Sequence, residues 1–333
     1  MTNPLKSMQP KIQPALDESF QPGAPGNRRF REPLTSTGVP FVMGLERSNG
    51  EVSRYETTVF PEGHPEFESN FEYAERIVKF LLWQRGGFKI YISGPRAVGE
   101  YIAQCYSPDG SRQFDYHFMG KQVYQQTFQV VCCAPEDVPA AHETGQRLGR
   151  NLEGHRIGFD LGASDRKVSA VVDGKVIYSE EVIWEPRKQT DPAYHYREIM
   201  NALQTAASKM PRLDAIGGSS AGIYIDNRPM VASLFRGIPQ ERFDEIRNLF
   251  LRIQQEMNVP LEVINDGDVT ALAGSMSIED NGILGIALGS SEAAGYVNLD
   301  GHIMGWLNEL AFAPIDYSPN APQDEWSGDR GVG

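Results

Sequence analysis

The chain has little cysteine, little positive charge and no long apolar run. Among 333 residues only Cys105, Cys132 and Cys133 are cysteines, an odd number with no CxxC pair. This excludes a disulfide framework and a thiolate-held metal, and leaves reduced, structural thiols. Lysine and arginine total 31 against 44 aspartates and glutamates, a formal charge of −13. So acidic a chain argues against nonspecific binding to nucleic acid or an anionic membrane, both of which rest on a positive surface, and favours small-molecule partners. No stretch approaches the roughly 20 apolar residues of a bilayer span, and the first twenty residues are too polar for a secretory signal, so a cytoplasmic location is expected. What is present is ordinary globular composition, 40% hydrophobic and 23% charged. The length suits two domains, because single cores stop growing near roughly 250–300 residues.

Proline and glycine crowd residues 1–68 (QPGAPGNRRFREP, FPEGHPEFE) with little periodicity, which predicts an extended or partly disordered arm. From Phe71 the spacing of Ala74, Ile77, Val78, Phe80, Leu81 and Leu82 predicts a buried helix ending at Gly86-Gly87, followed by the strand FKIYIS. A second helix is expected over 97–105, strands over FDYHFMG and YQQTFQVVCCA, and a helix over 136–152. Residues 69–152 thus read as a small α/β module with no assigned role. Its phrase SGPRAVGEY lacks the GK[ST] ending of a phosphate loop and reads as a strand-to-helix turn.

From Arg156 the pattern changes to short β-branched strands and tight turns. IGFDLGAS, KVSAVV and GKVIYSEEVIW predict a meander, with Asp173-Gly174 as a two-residue hairpin turn. Helices are expected over 193–210 and 240–257, alternating with the strands DAIGGSS, LEVIN, ILGIAL and AAGYVNL, which gives a mixed α/β class.

Three segments carry candidate chemistry. In Gly158 to Lys167 (GFDLGASDRK) small residues let backbone N–H groups approach phosphate, and Asp160 at a strand end can hold hydrated magnesium. Alone, the same residues fit a plain hairpin. In Val263 to Ala273 (VINDGDVTALA) an apolar strand breaks at Asn265-Asp266-Gly267 and enters a helix of small residues. The helix dipole keeps Asp266 ionised and able to take a proton from a hydroxyl, although a capping or turn role explains it equally. The third, Gly285 to Val297 (GIALGSSEAAGYV), is a second strand, small-residue turn and strand.

In this order and spacing, residues 156–333 resemble the N-terminal and central parts of the ROK family (repressors, open reading frames and sugar kinases). Asp160-Leu161-Gly162-Ala163-Ser164 resembles that family's first phosphate motif, with Ala163 where glycine is usual. Gly217 to Gly222 with Asp226 resembles the turn that borders the sugar cleft, Asn265-Asp266 the sugar-binding Asn and catalytic Asp, and Gly289-Ser290-Ser291 the second phosphate loop. The resemblance implies an actin-like ATPase (ribonuclease H-like) fold over residues 153–333, first lobe plus part of the second. It also implies ATP and Mg2+ as cofactors and transfer of the γ-phosphate to a hexose-type hydroxyl. Asp266 would be the base, with Asn265, Glu309, Ser220 and Gly222 on the sugar. Asp160 would hold magnesium, directly or through water, and Gly162, Ala163, Ser164, Gly289, Ser290 and Ser291 the phosphates. Sugar and ATP are the expected partners, and a homodimer is compatible.

The departures bear on this. Asn308 replaces a glycine and Phe312 the histidine of the family's GExGH motif, and Ser327 to Val332 offers no cysteine where zinc ligands belong, so no zinc site is expected there. A sugar pocket organised by packing around Phe312, Trp306 and Trp326 is expected instead, with plain core packing the other role these aromatics fit. The chain ends before the family's adenosine motif, which the resemblance reads as a C-terminal truncation. A non-catalytic sugar-binding or regulatory protein is the alternative, favoured by the replaced histidine and the long N-terminal extension. A repressor would need a helix-turn-helix domain before the fold, where this chain mixes strands with helices.

Overall fold

The computed structural model describes Leu5 and residues 10–288 and 292–333. It divides into two units, one of residues 1–144 with 306–333 and one of residues 145–305.

The first unit opens with α1 (Gly23–Arg31) and α2 (Leu34–Thr37) and the hairpin β1 (Val39–Glu46) and β2 (Val52–Val59). Then follow α3 (Ser69–Arg85), β3 (Lys89–Ser93), α4 (Arg96–Cys105), α5 (Gln113–His117) and β4 (Gln129–Cys132). The sheet runs β2-β1-β3-β4, with β1 antiparallel to both neighbours and β3 parallel to β4. Helix α3 and strand β3 lie where the periodicity places them. Gly86 ends α3 at φ 88, where a Cβ would meet the Tyr124 hydroxyl at 2.0 Å, so the position admits only glycine.

Three expectations for this unit are corrected. Residues 39–59 are a paired hairpin rather than an extended arm, with Phe41, Val42, Met43 and Leu45 all buried. Because β1 is covered on both faces, it shows a continuous apolar run instead of alternation. FDYHFMG is helical, α5 continuing into a π-type turn over Phe118–Tyr124. Phe114 and Phe118 stack at 5.4 Å, the i, i+4 contact of a helix and not the alternation of a strand. The helix expected over 136–152 is absent. Pro135–Asp137 forms a single 3-10 turn, and the chain beyond it pairs through bridges, His142 with Val52 and Gln146 with Ile303.

Residues 306–333 also depart from expectation, because they build the first unit instead of extending the kinase-like domain to residue 333. A buried ionic network is part of what holds them. The Lys79 ammonium, fully buried on α3, lies 3.1 and 3.0 Å from the two Asp115 oxygens and 2.5 Å from Asp329 Oδ2. Trp83 Nε1 donates to Asp115 at 2.9 Å, and Arg112 bridges Glu75 and Asp329. Burial pushes the Asp115 carboxyl up, and Lys79 opposes the shift. Phe312 stacks on Trp83 with centroids 4.2 Å apart.

In the second unit β5 (His155–Leu161), β6 (Asp165–Val172) and β7 (Lys175–Ile183) form the meander. Asp173 (φ 47) and Gly174 (φ 77) make its turn, both left-handed as a two-residue hairpin of this type requires. Then come α6 (Pro192–Ala207), β8 (Ala215–Ser220), β9 (Ile223–Ile225), β10 (Arg228–Val231), α7 (Phe243–Arg247) and α8 (Leu249–Met257). β11 (Leu261–Asn265), α9 (Asp266–Ile278), β12 (Ile283–Leu288) and β13 (Glu292–Val297) complete the unit. The sheet order is β11-β8-β5-β6-β7, antiparallel through the meander and parallel for β5, β8 and β11. A three-strand meander whose first strand is followed outward by two parallel strands is the ribonuclease H-like arrangement of an actin-like ATPase lobe.

Ile157, Phe159, Leu161, Val168, Ile216 and Val263 point to one side of this sheet and are buried in one core with Ile199 and Leu203 of α6 and Phe250 and Ile253 of α8. β12 and β13 form a separate hairpin against α9, and the approach is close: a Cβ on Gly295 would sit 2.3 Å from Asp268 Cα. Leu284, Ile286 and Leu288 on its other side are about half exposed or more. Among the described residues no helix is long and apolar enough to cross a membrane.

The ionic network yields an expectation. Asp115→Ala leaves the fully buried Lys79 short of a partner and should cost about 3–5 kcal/mol in denaturant unfolding. A loss below roughly 1 kcal/mol would show that Lys79 reaches solvent or needs no Asp115.

Candidate active site

The parallel strands β5, β8 and β11 end together, Leu161 opposite Ser220 and Ser220 opposite Asn265. The crevice outside such carboxyl ends is where open α/β sheets take their ligands. Alternation then chooses the side. Phe159 and Leu161 enter the core, so Asp160 faces the opposite side, a cleft of about 1120 Å³ lined by Asp160, Lys167, Ser219, Glu262, Asp266 and Thr270 among others.

Asn265 caps α9, its Oδ1 accepting the Gly267 N–H at 2.7 Å while its Nδ2 donates to the Gly222 carbonyl at 2.8 Å. Both ends of the amide are therefore occupied in fixing the loop that carries Asp266. Gly222 (φ 123) admits no side chain, since a Cβ would lie 2.4 Å from the Val231 carbonyl oxygen. Ser220 is fully buried and accepts from the Tyr224 hydroxyl at 2.8 Å, so Ser220 and Gly222 support the cleft edge from behind.

Asp266 is the first residue of α9. Burial pushes its carboxyl up from the ordinary value, the Asp160 charge adds to the shift, and the hydrogen bond from the Gly267 N–H opposes it. Asp160 is 43% exposed, and Lys167 Nζ lies 4.0 Å from its Oδ2. In the β5–β6 turn the Gly162 N–H donates to the Asp165 carbonyl at 2.9 Å and the Gly162 carbonyl accepts from Trp184 Nε1 at 3.0 Å. Gly162 is thus used to close the turn, and Ala163 and Ser164 form its exposed tip.

Gly289, Ser290 and Ser291 lie outside the described residues. Glu309 belongs to the first unit, where its backbone N–H donates to the Trp83 carbonyl. Phe312 stacks on Trp83, Trp306 has the Arg85 guanidinium 3.4 Å from its ring centre, and Trp326 is 70% exposed, three separate surroundings instead of one sugar pocket. One cleft residue escaped the sequence reading. Glu262 is a polar residue at an inner position of the apolar strand LEVIN, and burial pushes its carboxyl up.

Asp160 and Asp266 offer hard oxygen donors, and the Asp160 charge, which adds to the burial that raises Asp266, is what a divalent cation would offset. Magnesium takes one or two carboxylates and completes its shell with water and phosphate. The donor set fits that ion bound with a nucleotide. Among the described residues no group of three or more His, Cys, Asp or Glu is placed to hold a metal.

No protein-family model matches the sequence, and no curated protein matches it. Similar solved structures include a ROK family transcriptional regulator, homologous to the E. coli MLC protein, at 20% identity and TM-score 0.40 over 55% of this chain and 46% of that one. A ROK hexokinase from Thermus thermophilus is 16% identical, with TM-score 0.42, over 54% of this chain and 57% of that one. An inorganic polyphosphate/ATP-glucomannokinase from Arthrobacter sp. strain KM is 19% identical, with TM-score 0.37, over 46% and 61%. The match spans about half the length of these structures. By its own strand order the second unit is a lobe of an actin-like ATPase fold, and ROK proteins are what the chain is similar to.

Proposed function

We propose that the chain belongs to an ATP-dependent carbohydrate kinase that transfers the γ-phosphate to a hexose-type hydroxyl, with Asp266 as general base. The observation that supports this best is Asp266 at the end of β11, opening on the same cleft as Asp160 with its carboxyl raised. Phosphoryl transfer needs alignment, charge neutralisation and a base, and no covalent nucleophile. ATP with magnesium supplies, when bound, the phosphoryl group and most of the neutralising charge. Asp160 would hold the metal, directly or through water. Ala163 and Ser164 present backbone donors from a turn with little side-chain bulk. Asp266 accepts the hydroxyl proton, for which a raised carboxyl is a stronger base than an ordinary one. Asn265 fixes the loop on which Asp266 sits. Sugar and ATP as partners and a cytoplasmic location belong to the same proposal.

A non-catalytic sugar-binding protein is the second reading. It is favoured by Gly162, whose N–H is bonded within its turn and is not offered to a phosphate. Calorimetry with a hexose and amino-sugar panel, beside a phosphorylation assay, separates the two: binding without turnover selects the second.

In the kinase reading Asp266→Asn leaves sugar affinity within a few-fold and lowers turnover by roughly 10²–10⁴. Unchanged turnover would remove Asp266 from the chemistry. A pH titration adds a second check. Because the folded carboxyl is raised, the native state holds this proton more tightly than the unfolded chain does. Its stabilising contribution is complete below the unfolded value and is lost as pH rises through the folded one. Melts across pH should therefore show Asp266→Asn gaining on the parent protein from the ordinary carboxylate range toward neutrality. A gain that is flat with pH would mean the carboxyl is not raised.

A further inference from the structure

Lys167 lies in β6 directly opposite Asp160 in β5, and opposite Glu181 in β7, so the three residues share one face of the sheet. That face is the cleft side, since the neighbouring Val168 is buried in the opposite core. Lys167 Nζ is 3.0 Å from Asp165 Oδ1 and 4.0 Å from Asp160 Oδ2. One ammonium therefore serves a row of carboxylates at the edge of the cleft in which Asp160 and Asp266 repel each other.

The two contacts differ in kind. Asp165 is the closer, hydrogen-bonded partner; its carboxyl is held below the usual value by Lys167 and by the Ser164 hydroxyl, so it stays ionised and anchors the ammonium. Asp160 is the looser partner. Both Lys167 and Asp160 are close to half exposed, and ion pairs so wetted are weak, which makes the Asp160 contact cheap to exchange. A divalent cation brings twice the charge to the same carboxylate and would displace the ammonium. The long lysine stem, still tethered near Asp165 at the end of the small-residue turn, then leaves its charge free for phosphate oxygens.

We propose that Lys167 is a placeholder cation and phosphate-positioning residue. Without nucleotide it neutralises Asp160 in place of the metal, and when metal and phosphate arrive it releases Asp160 and turns to the phosphate chain. This rests on the nucleotide-binding reading of the cleft. It makes a signature that a merely structural lysine cannot: removing the charge should strengthen binding of the bare metal and weaken binding of the metal with phosphate.

The test uses the full 333-residue chain and Lys167→Met, which keeps the apolar stem, with Lys167→Arg as the conservative variant. Mn2+ alone, followed by paramagnetic resonance, should bind Lys167→Met about fivefold more tightly than the parent, the effect of one unit charge near 4 Å in a water-like medium. Asp160→Asn should abolish that gain. Magnesium tripolyphosphate, which carries the phosphate chain of ATP without adenosine, should bind Lys167→Met about fivefold more weakly in calorimetry, and Lys167→Arg should restore it. Equal or undetectable Mn2+ binding in both proteins, or shifts of the same sign in the two titrations, would overturn the proposal. Opposite shifts in a protein that phosphorylates no sugar would sink the kinase reading and leave this role of Lys167 standing.

Discussion

The parallel pairing of β5, β8 and β11 is the constraint on which the second unit depends. Register makes Leu161, Ser220 and Asn265 end side by side, and alternation then sends Phe159 and Leu161 into the core and Asp160 out of it. A one-residue slip in β5 would exchange these roles, burying a carboxylate and exposing two large apolar side chains. Core packing thereby fixes the side of the sheet on which Asp160 emerges. Gly218 shows how tight the arrangement is: a Cβ there would lie 2.1 Å from the Phe159 ring, so β8 can approach β5 in this register only with no side chain at that point.

What the sequence made legible were features whose cause is local. Asp173-Gly174 names its own turn because both residues tolerate a left-handed backbone, and Asn265-Asp266-Gly267 announces a helix start because an Asn side chain can cap it. The Asp160 and Asp266 segments were legible for the same reason. Illegible were features caused by distant partners. β1 carries no alternation because both its faces are covered, and the run Phe114 to Phe118 has aromatic residues that suit a strand until their partners, Trp83 and Phe312, favour the helical spacing. The destination of residues 306–333 was illegible for a stronger reason. It depends in part on one carboxylate, Asp329, meeting Lys79 and Arg112 more than two hundred positions earlier.

That network invites a comparison of magnitudes. Burying an ion pair costs several kcal/mol of lost hydration per charge, which the mutual attraction only roughly repays, so the cluster is a weak source of net stability. Its effect lies in discrimination. With Lys79 and Asp115 both fully buried, a chain end that docks without Asp329 leaves the ammonium with one carboxylate and Arg112 with Glu75 alone. Apolar contacts such as Phe312 on Trp83 tolerate sliding, whereas a charge without its partner does not. The segment is held in one place by the penalty on every other placement.

The cleft uses charge in the opposite manner. Here the groups are partly exposed, so each pair is worth little, and the energy differences between arrangements are small enough for a ligand to reverse. Asp266 stands between opposing effects: burial and the neighbouring Asp160 raise its carboxyl, while the N-terminus of α9 and the Gly267 N–H favour the ionised form. Relieving either side shifts the balance. A cation on Asp160 would offset that part of the shift and favour the ionised form of Asp266. In the proposed kinase chemistry the base must be both ionised and strong, and these two demands pull the Asp266 carboxyl in opposite directions, burial serving the second and a cation on Asp160 the first.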